Sequence, residues 1–292
     1  MSRKLHRRAI ANRDVSVVIP TKNSARTITS CIDSVLRERP REIIVVDASS
    51  RDDTLNVLSK YRIKLIEDRS GSLAHQRQIG VENSKGSYVM FVDSDVILAA
   101  GCIDKLRHDL EVNGWGGVHA QVLSAESVSY WQRAVDEEFS VGENTIGQKH
   151  RIGTAAALFK KVVLKDHPFD VGLSDSYEDV DLCRRLTKDH IALGVSSAVA
   201  YHYHRRRFQE FVMQRFRGGL GRARIDNKYK EKMVVTLFDP LVGALSRMVR
   251  STGTRRIRLI PYWAVKGSAE FVGILVAFRR IRYVTLESKS AL

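Results

Sequence analysis

The stretch VSVVIPTKN, residues 15–23, decides the fold class. From Val15 to Pro20 it is an apolar, mostly β-branched run, which is typical of a strand buried on both faces. Apolar residues at helical spacing follow, and they predict a helix with Ser24 as its N-terminal cap that ends before Pro40. The stretch is therefore predicted to begin a β-α-β unit.

The same alternation continues through the first 100 residues. Strands are predicted at 42–47, 62–67 and 88–92, and helices at 53–61 and 72–83. Successive β-α-β units with short connections imply a mostly parallel, Rossmann-like sheet with helices on both faces, so we expect an α/β fold. The later segments are predicted as helices at 101–112, 128–139 and 177–188, strands at 117–123 and 191–202, and a polar loop at 142–153.

Charge is distributed unevenly along the 292 residues. The formal net charge is +15, and residues 200–292 contain 20 Lys and Arg against 6 Asp and Glu, a net +14. A near-neutral body thus carries a strongly basic last third, which indicates contact with an anionic surface or substrate. The composition, 43% hydrophobic and 28% charged, is not that of a disordered chain or a multi-span membrane protein.

The cysteines and the N-terminus indicate the compartment. Cys31, Cys102 and Cys183 are far apart and lie among apolar residues, so we expect buried free thiols in a reducing environment. Residues 1–13 are basic but have no apolar segment behind them, unlike a secretory signal. The expected location is the cytoplasmic face of the cell membrane.

Two apolar segments, 233–249 and 259–278, follow the body. The second is about long enough to cross a bilayer, but it contains Lys266 and Glu270. On a helical wheel these charges fall on one side and the large apolar residues on the other, with arginines at both ends. This pattern predicts a helix lying on the membrane surface, and the alternative is a helix packed on the core.

Acidic residues end two of the predicted strands. Asp47 ends the second strand, Asp93 and Asp95 end the fourth, and the turn that starts at Pro20 ends the first. In an open parallel sheet, ligands bind at the carboxyl ends of the strands. Because two nearby carboxylates suit a hard divalent cation, this edge is predicted to hold a nucleotide with Mg²⁺ or Mn²⁺.

Another pair of acids, Glu178 and Asp179, opens a predicted helix. Acids at a helix N-terminus are stabilised by the helix dipole and need no further role. The functional alternative is that Asp179 projects into the same crevice as a general base.

Together these motifs resemble glycosyltransferase family 2. The resemblance covers residues 14–204 and rests on four segments in order: VSVVIPTKN at 15–23, EIIVVDASSRDDT at 42–54, GSYVMFVDSD at 86–95 and YEDVDLCRRL at 177–186. It implies a GT-A fold and transfer of a sugar from a nucleoside diphosphate sugar, with inversion at the anomeric carbon.

The resemblance also implies residue roles, with Asp179 as the catalytic base. The nucleotide sugar would be bound by Pro20, Thr21, Asn23, Asp47, Arg77, Asp93 and Ser94. The metal, Mn²⁺ or Mg²⁺, would be held by Asp95 as main ligand with Asp93 and His202. Gln78 departs from the family's usual Asn. Ala48 and Ser49 stand where many members have Asp-Gly, which leaves the donor base less defined than the fold.

The chain is thus expected to have three parts. These are a basic N-terminal tail at 1–13, a GT-A catalytic domain at 14–204, and a basic, partly apolar helical membrane-associating region at 205–292. The expected donor is a UDP-sugar. The expected acceptor is a lipid-linked saccharide, a glycolipid or a cell-envelope polysaccharide.

Two other functions share some of these features. A non-catalytic nucleotide-sugar or nucleic-acid-binding protein would use the basic last third, but its apolar segments suit lipid better than a phosphate backbone, so nucleic acid is not the expected partner. A nucleotidyltransferase would be expected to have a glycine-rich phosphate-binding loop after the first strand. The segment that starts at Pro20 is not such a loop.

Overall fold

The computed structural model describes residues 12–173 and 176–290. The basic tail predicted at 1–13 therefore lies almost entirely outside the described residues. Nine strands form one sheet: β1 Val15–Thr21, β2 Glu42–Asp47, β3 Lys64–Glu67, β4 Tyr88–Val92, β5 Val96–Leu98, β6 Gly117–Ser124, β7 Gly147–Lys149, β8 Ala156–Lys160 and β9 Leu193–His202. The helices are α1 Ile28–Arg37, α2 Thr54–Leu58, α3 Leu73–Asn83, α4 Cys102–Val112, α5 Tyr130–Val141, α6 Lys161–Asp166, α7 Glu178–Lys188, α8 Phe208–Lys228, α9 Met233–Ser251 and α10 Ile260–Ser290, with a 3-10 helix at Arg255–Leu259.

The sheet has the order β3-β2-β1-β4-β8-β6-β9-β5, and β7 also pairs with β9. As predicted, β1 is parallel to β2 and β4, and β2 is parallel to β3. β8 interrupts the parallel arrangement because it is antiparallel to both β4 and β6, and beyond it β6 and β9 are again parallel. No strand was predicted at β8, since a run of four apolar residues has no period that separates strand from helix.

Helices cover both faces of the sheet, as expected. In β1, Val17 packs with α1 and α4 on one face, while Val18 packs with α3 and α7 on the other. The alternation arises because successive side chains of a strand point to opposite faces. The three cysteines are buried and free, which confirms their predicted state.

Two local predictions were wrong. Ser24 does not cap α1, which begins at Ile28 after Thr27. Residues 24–27 form a turn first, and the Ser24 carbonyl accepts hydrogen bonds from the backbone N–H groups of both Thr27 and Ile28 at 3.0 Å. The predicted polar loop at 142–153 contains β7, whose three residues pair with β9.

The basic last third is helical and packs on α5. Phe211 of α8 and Tyr262 of α10 are buried in one cluster with Val135 of α5. Helices α8 and α10 approach closely through glycines, since a Cβ on Gly273 would collide with the backbone oxygen of Phe216. Catalytic and C-terminal parts therefore share a hydrophobic core.

Candidate active site

The ends of β1 and β2 bring four predicted nucleotide-binding residues together. Thr21, preceded by Pro20, pairs with Asp47 across the two strands. The buried Asp47 carboxylate accepts hydrogen bonds from the backbone N–H of Ser50 at 2.8 Å and from its hydroxyl at 2.5 Å. Asn23, which has a left-handed φ of +51°, donates its backbone N–H to the same hydroxyl at 2.8 Å.

Another acid at this edge, Asp68, was not predicted. It directly follows β3, and its backbone N–H donates to the Asp47 carbonyl at 2.7 Å. Burial acts to raise the pKa of Asp68, but hydrogen bonds from Ser70 and His75 hold the pKa below its usual value. The signal was an acid just past a strand end, the same signal that identified Asp47.

Arg77 connects α3 with the end of β4 and the start of α7. Its side chain is almost fully buried, and it donates one hydrogen bond to Asp93 at 2.8 Å and pairs through its other nitrogen with Glu178. Sequence analysis placed Arg77 and Asp93 beside the nucleotide but treated Glu178 only as a helix-terminal acid. The structure shows instead that Arg77 contacts both Asp93 and Glu178 and holds the two acids close together.

Three carboxylates, those of Asp93, Glu178 and Asp179, lie close to Arg77, and Arg151 is a second guanidinium near Asp179. Burial raises the pKa of Glu178 and of Asp179; the positive charge of Arg77, joined at Asp179 by that of Arg151, only partly offsets it. Burial acts to lower the pKa of Arg77, but Glu178 and Asp93 raise it overall. Because carboxylates outnumber guanidiniums in this buried cluster, the cluster favours binding of a proton or a cation.

Asp179 lies in the first turn of α7, after Tyr177, which has a left-handed φ of +73°. Its Oδ1 accepts a hydrogen bond from the backbone N–H of Val180 at 2.8 Å. In residues 12–173 and 176–290, no side chain donates a hydrogen bond to it. A half-buried carboxylate with a raised pKa and no side-chain donor is suited to accept a proton from a ligand.

Asp95 lies opposite the end of β9. The Nε2 atom of His202 is 3.1 Å from Asp95 Oδ1, and Arg205 lies 3.8 Å from the same carboxylate. Burial acts to raise the pKa of Asp95, but His202 and Arg205 hold it low. Burial acts to lower the pKa of His202, but Asp95 raises it overall. The other ring nitrogen of His202, Nδ1, is 2.7 Å from Nδ1 of His204.

The three predicted metal ligands do not form one group, because Asp93 is held by Arg77. Among the described residues, no three or more His, Cys, Asp or Glu side chains are placed to hold a metal ion. The adjacent oxygen and nitrogen donors of Asp95 and His202 still fit Mn²⁺ or Mg²⁺, which usually takes few protein ligands and completes its shell with water and phosphate. The metal role of these two residues stays a prediction.

A cavity of about 1040 Å³ joins these groups. It is lined by five predicted residues, Arg77, Asp93, Asp95, Asp179 and His202. The rest of its wall includes residues of α5 and of the segment 142–155, and the C-terminal helices contribute Arg215, Arg222, Asp239, Arg247, Arg250, Trp263, Lys266 and Glu270. Pro20, Thr21, Asn23, Asp47 and Ser94 lie at the neighbouring strand ends, outside the lining. Ser94 shares a hydrogen bond of 2.8 Å with the hydroxyl of Ser24.

Known proteins resemble this chain in sequence and in fold. The family model "Glycosyl transferase family 2" matches residues 16–167. Poly(ribitol-phosphate) beta-N-acetylglucosaminyltransferase TarP of Staphylococcus aureus is 36% identical over 104 residues, which are 32% of this chain and 32% of TarP. Poly(ribitol-phosphate) beta-glucosyltransferase of Bacillus spizizenii is 37% identical over 92 residues, 28% of this chain and 14% of that protein.

A solved structure resembles the whole fold. The crystal structure of S. aureus TarS 1-349 in complex with UDP-GlcNAc superposes with a TM-score of 0.54 at 18% identity, and covers 91% of this chain and 92% of that one. At this identity the likeness shows the fold, which confirms the predicted α/β, GT-A architecture with its C-terminal helices. Since the family model matches more than half of the chain, the protein belongs to glycosyl transferase family 2.

Proposed function

We propose that this glycosyltransferase moves a sugar from a nucleoside diphosphate sugar, with a UDP-sugar as the favoured donor, to a hydroxyl acceptor with inversion. The observation that carries the proposal is Asp179, whose carboxylate lines the same cavity as Asp93 and Asp95 and has a raised pKa. The UDP-GlcNAc complex of TarS, a protein of the same fold, supports the choice of donor.

The reaction needs one base and one displaced group. The acceptor oxygen attacks the anomeric carbon on the face opposite the diphosphate, and its proton passes to the Asp179 carboxylate. The bond between the anomeric carbon and the diphosphate oxygen breaks, and its electron pair leaves with the nucleoside diphosphate. A single displacement inverts configuration and needs no covalent enzyme intermediate. The raised pKa makes Asp179 a better proton acceptor than an ordinary aspartate.

The leaving diphosphate requires positive charge nearby. Asp95 and His202 would hold Mn²⁺ or Mg²⁺, which when bound would neutralise charge on the diphosphate oxygens. Arg205, 3.8 Å from Asp95, contributes a fixed cation at the same place. Both terminal nitrogens of Arg77 are paired with carboxylates, those of Asp93 and Glu178, so we assign Arg77 a positioning role.

The acceptor we propose is a cell-envelope polysaccharide, a glycolipid or a lipid-linked saccharide. Two relatives carry poly(ribitol-phosphate), an anionic polymer, in their names. In this chain Arg247 and Arg250 line the cavity, and within residues 12–173 and 176–290 neither has an acid within 4 Å. Unpaired guanidiniums favour an acceptor that carries phosphate or carboxylate groups.

The test is a screen of nucleoside diphosphate sugars by thermal shift and by hydrolysis, with Mn²⁺, with Mg²⁺ and with chelator. A UDP-sugar is expected to raise the melting temperature, because a ligand that binds only the folded state stabilises it. Asp179→Asn should keep this shift and lose turnover, while the exposed control Asp166→Asn should keep both. A protein that responds to no donor, or an Asp179→Asn variant with full turnover, would overturn the proposal.

A further inference from the structure

Helix α9 has an apolar face that the described protein leaves largely exposed, although the ring of Phe238 on this face lies 6.0 Å from that of Phe271 of α10. Five large residues on it, each between 48% and 65% exposed, recur every three or four positions: Val234, Phe238, Val242, Leu245 and Val249. Because each residue of an α-helix turns by about 100°, these five lie on one side of α9. We call this set the outer stripe. Contiguous exposed apolar surface of this kind marks a docking surface.

The opposite side of α9 is the wall of the active-site cavity. Pro240, Ala244, Arg247 and Ser251 line that cavity, and they fall about half a turn away from the outer stripe. Ala244 is buried and packs closely on Gly267 of α10. One helix therefore separates the cavity from whatever the outer stripe contacts, a distance of about one helix diameter, roughly 10 Å.

Positive charges lie at both ends of the outer stripe. Lys230 and Lys232 precede α9 and are exposed, and Arg255 is exposed just beyond its other end. In residues 12–173 and 176–290, Arg255 has no acid partner within 4 Å. Ile257, two residues further along the chain, is 56% exposed. An apolar stripe with basic ends complements an anionic bilayer surface better than an ordinary protein surface.

The placement of helix α10 in the protein argues against its crossing a bilayer, and that it lies on the membrane surface stays a prediction. The segment Arg255–Arg280 is long and apolar enough to cross a membrane by length and composition alone, which is weak evidence, and a third of its apolar window is buried in the protein. Its Lys266 forms an ion pair with Glu138 of α5, and both side chains line the cavity. A crossing would bring this pair and Glu270 into the hydrocarbon.

We propose that the outer stripe of α9 lies in the interface of an anionic membrane leaflet, so that the active-site cavity is held about one helix diameter above the lipid headgroups. Such a placement brings a lipid-linked acceptor within reach of Asp179. Only this consequence rests on the proposed function, because docking itself needs no donor or acceptor.

The first experiment is flotation of the full chain with vesicles of phosphatidylcholine, with and without phosphatidylglycerol. The triple variant Phe238→Ser/Val242→Ser/Leu245→Ser should bind anionic vesicles about 100-fold more weakly than wild type, since each replaced side chain loses apolar contact with the interface. A matched control replaces Leu65, Val112 and Val162 with Ser, because these side chains are also exposed but lie on the catalytic part. The control should bind like wild type.

A second experiment locates the contact without removing it. The three native cysteines are buried, so a single exposed cysteine accepts an environment-sensitive fluorophore selectively. The label at Val242→Cys should shift to the blue on anionic vesicles, whereas the label at Val112→Cys should not.

Several results would overturn the proposal. Wild type that does not bind anionic vesicles, or a stripe variant that binds them normally, excludes the membrane contact. A wild-type dimer that the stripe variant converts to monomer, without any effect of vesicles, assigns the stripe to a second copy of the chain. Hydrolysis of the donor in solution is expected to be unchanged in the stripe variant. The membrane contact and the proposed function can therefore fail separately.

Discussion

Replacing Arg77 with Met tests whether the buried cluster at the active site is held by one guanidinium. Arg77 is 1% exposed and Glu178 is 3% exposed, so the substitution leaves two carboxylates, one of them almost fully buried, without their cation. Breaking a buried ion pair in this way costs about 3–5 kcal/mol of unfolding free energy. We expect Arg77→Met to lower stability by about that amount at pH 8.

The loss should depend on pH in a defined direction. Burial already raises the pKa values of Glu178 and Asp179, and without the positive charge of Arg77 they are expected to rise further above their values in the unfolded chain. The folded state then binds more protons than the unfolded state, so the stability of the variant falls as pH rises through the interval between about 4 and 8. The deficit of Arg77→Met should therefore be smaller at pH 5 than at pH 8.

The assay is guanidinium denaturation at both pH values, with Arg107→Met as the control. Arg107 also forms an ion pair, at 2.9 Å with Asp14, but both side chains are partly exposed. The control should lose no more than about 1 kcal/mol. If Arg77→Met does not fold, Arg77→Met/Glu178→Gln should recover part of the stability. A deficit of Arg77→Met below about 1 kcal/mol, or one equal at both pH values, would refute the reasoning.

Three further predictions concern the base, the strand ends and the helix contact. Wild-type kcat should rise with pH with a midpoint above that of an ordinary aspartate, because Asp179 acts deprotonated and its pKa is raised; a pH-rate profile without this limb would contradict the assignment. Asp47→Asn should weaken UDP binding by about tenfold in calorimetry, a loss of roughly 1.4 kcal/mol, and unchanged affinity would remove Asp47 from the nucleotide site. Gly273→Ala should destabilise the protein by about 1–3 kcal/mol through its contact with α8. Gly218→Ala, where no atom lies within 4 Å, should instead stabilise by up to about 1 kcal/mol, and equal effects would contradict this packing.

Much of the catalytic half could be predicted from local patterns. β2 was predicted with the bounds that the structure shows, because a buried parallel strand is a continuous apolar run ended by a polar residue. The same rule identified Asp47, Asp93 and Asp95, since acids that directly follow such runs must lie at the carboxyl edge of the sheet. Local pattern also predicted α3 to within one residue at its start.

The pairing of side chains could not be predicted in this way. Glu178 and Arg77 are 101 positions apart, and nothing in the sequence around Glu178 distinguishes a partner of Arg77 from an acid that stabilises a helix start. β8 was missed for a similar reason, because its place between β4 and β6 depends on contacts with distant segments. Asp68, in contrast, had the same strand-end signal as Asp47 and was overlooked.

The sequence by itself determined the order of the first four strands and the helices between them, the acids at the strand ends and the concentration of positive charge in the last third. These are properties of neighbouring residues, and periodicity and composition report them directly. Only the tertiary structure decided which acids the basic residues of the last third contact. Glu138 and Asp181 in residues 14–204 pair with Lys266 and Lys228 of the basic helices, which joins the two parts, and the pair of Glu138 with Lys266 lies at the cavity. The tertiary structure also decided that the apolar side of α9 faces outward. The opposite side of α9 packs on α10 and lines the cavity, so the apolar side stays exposed.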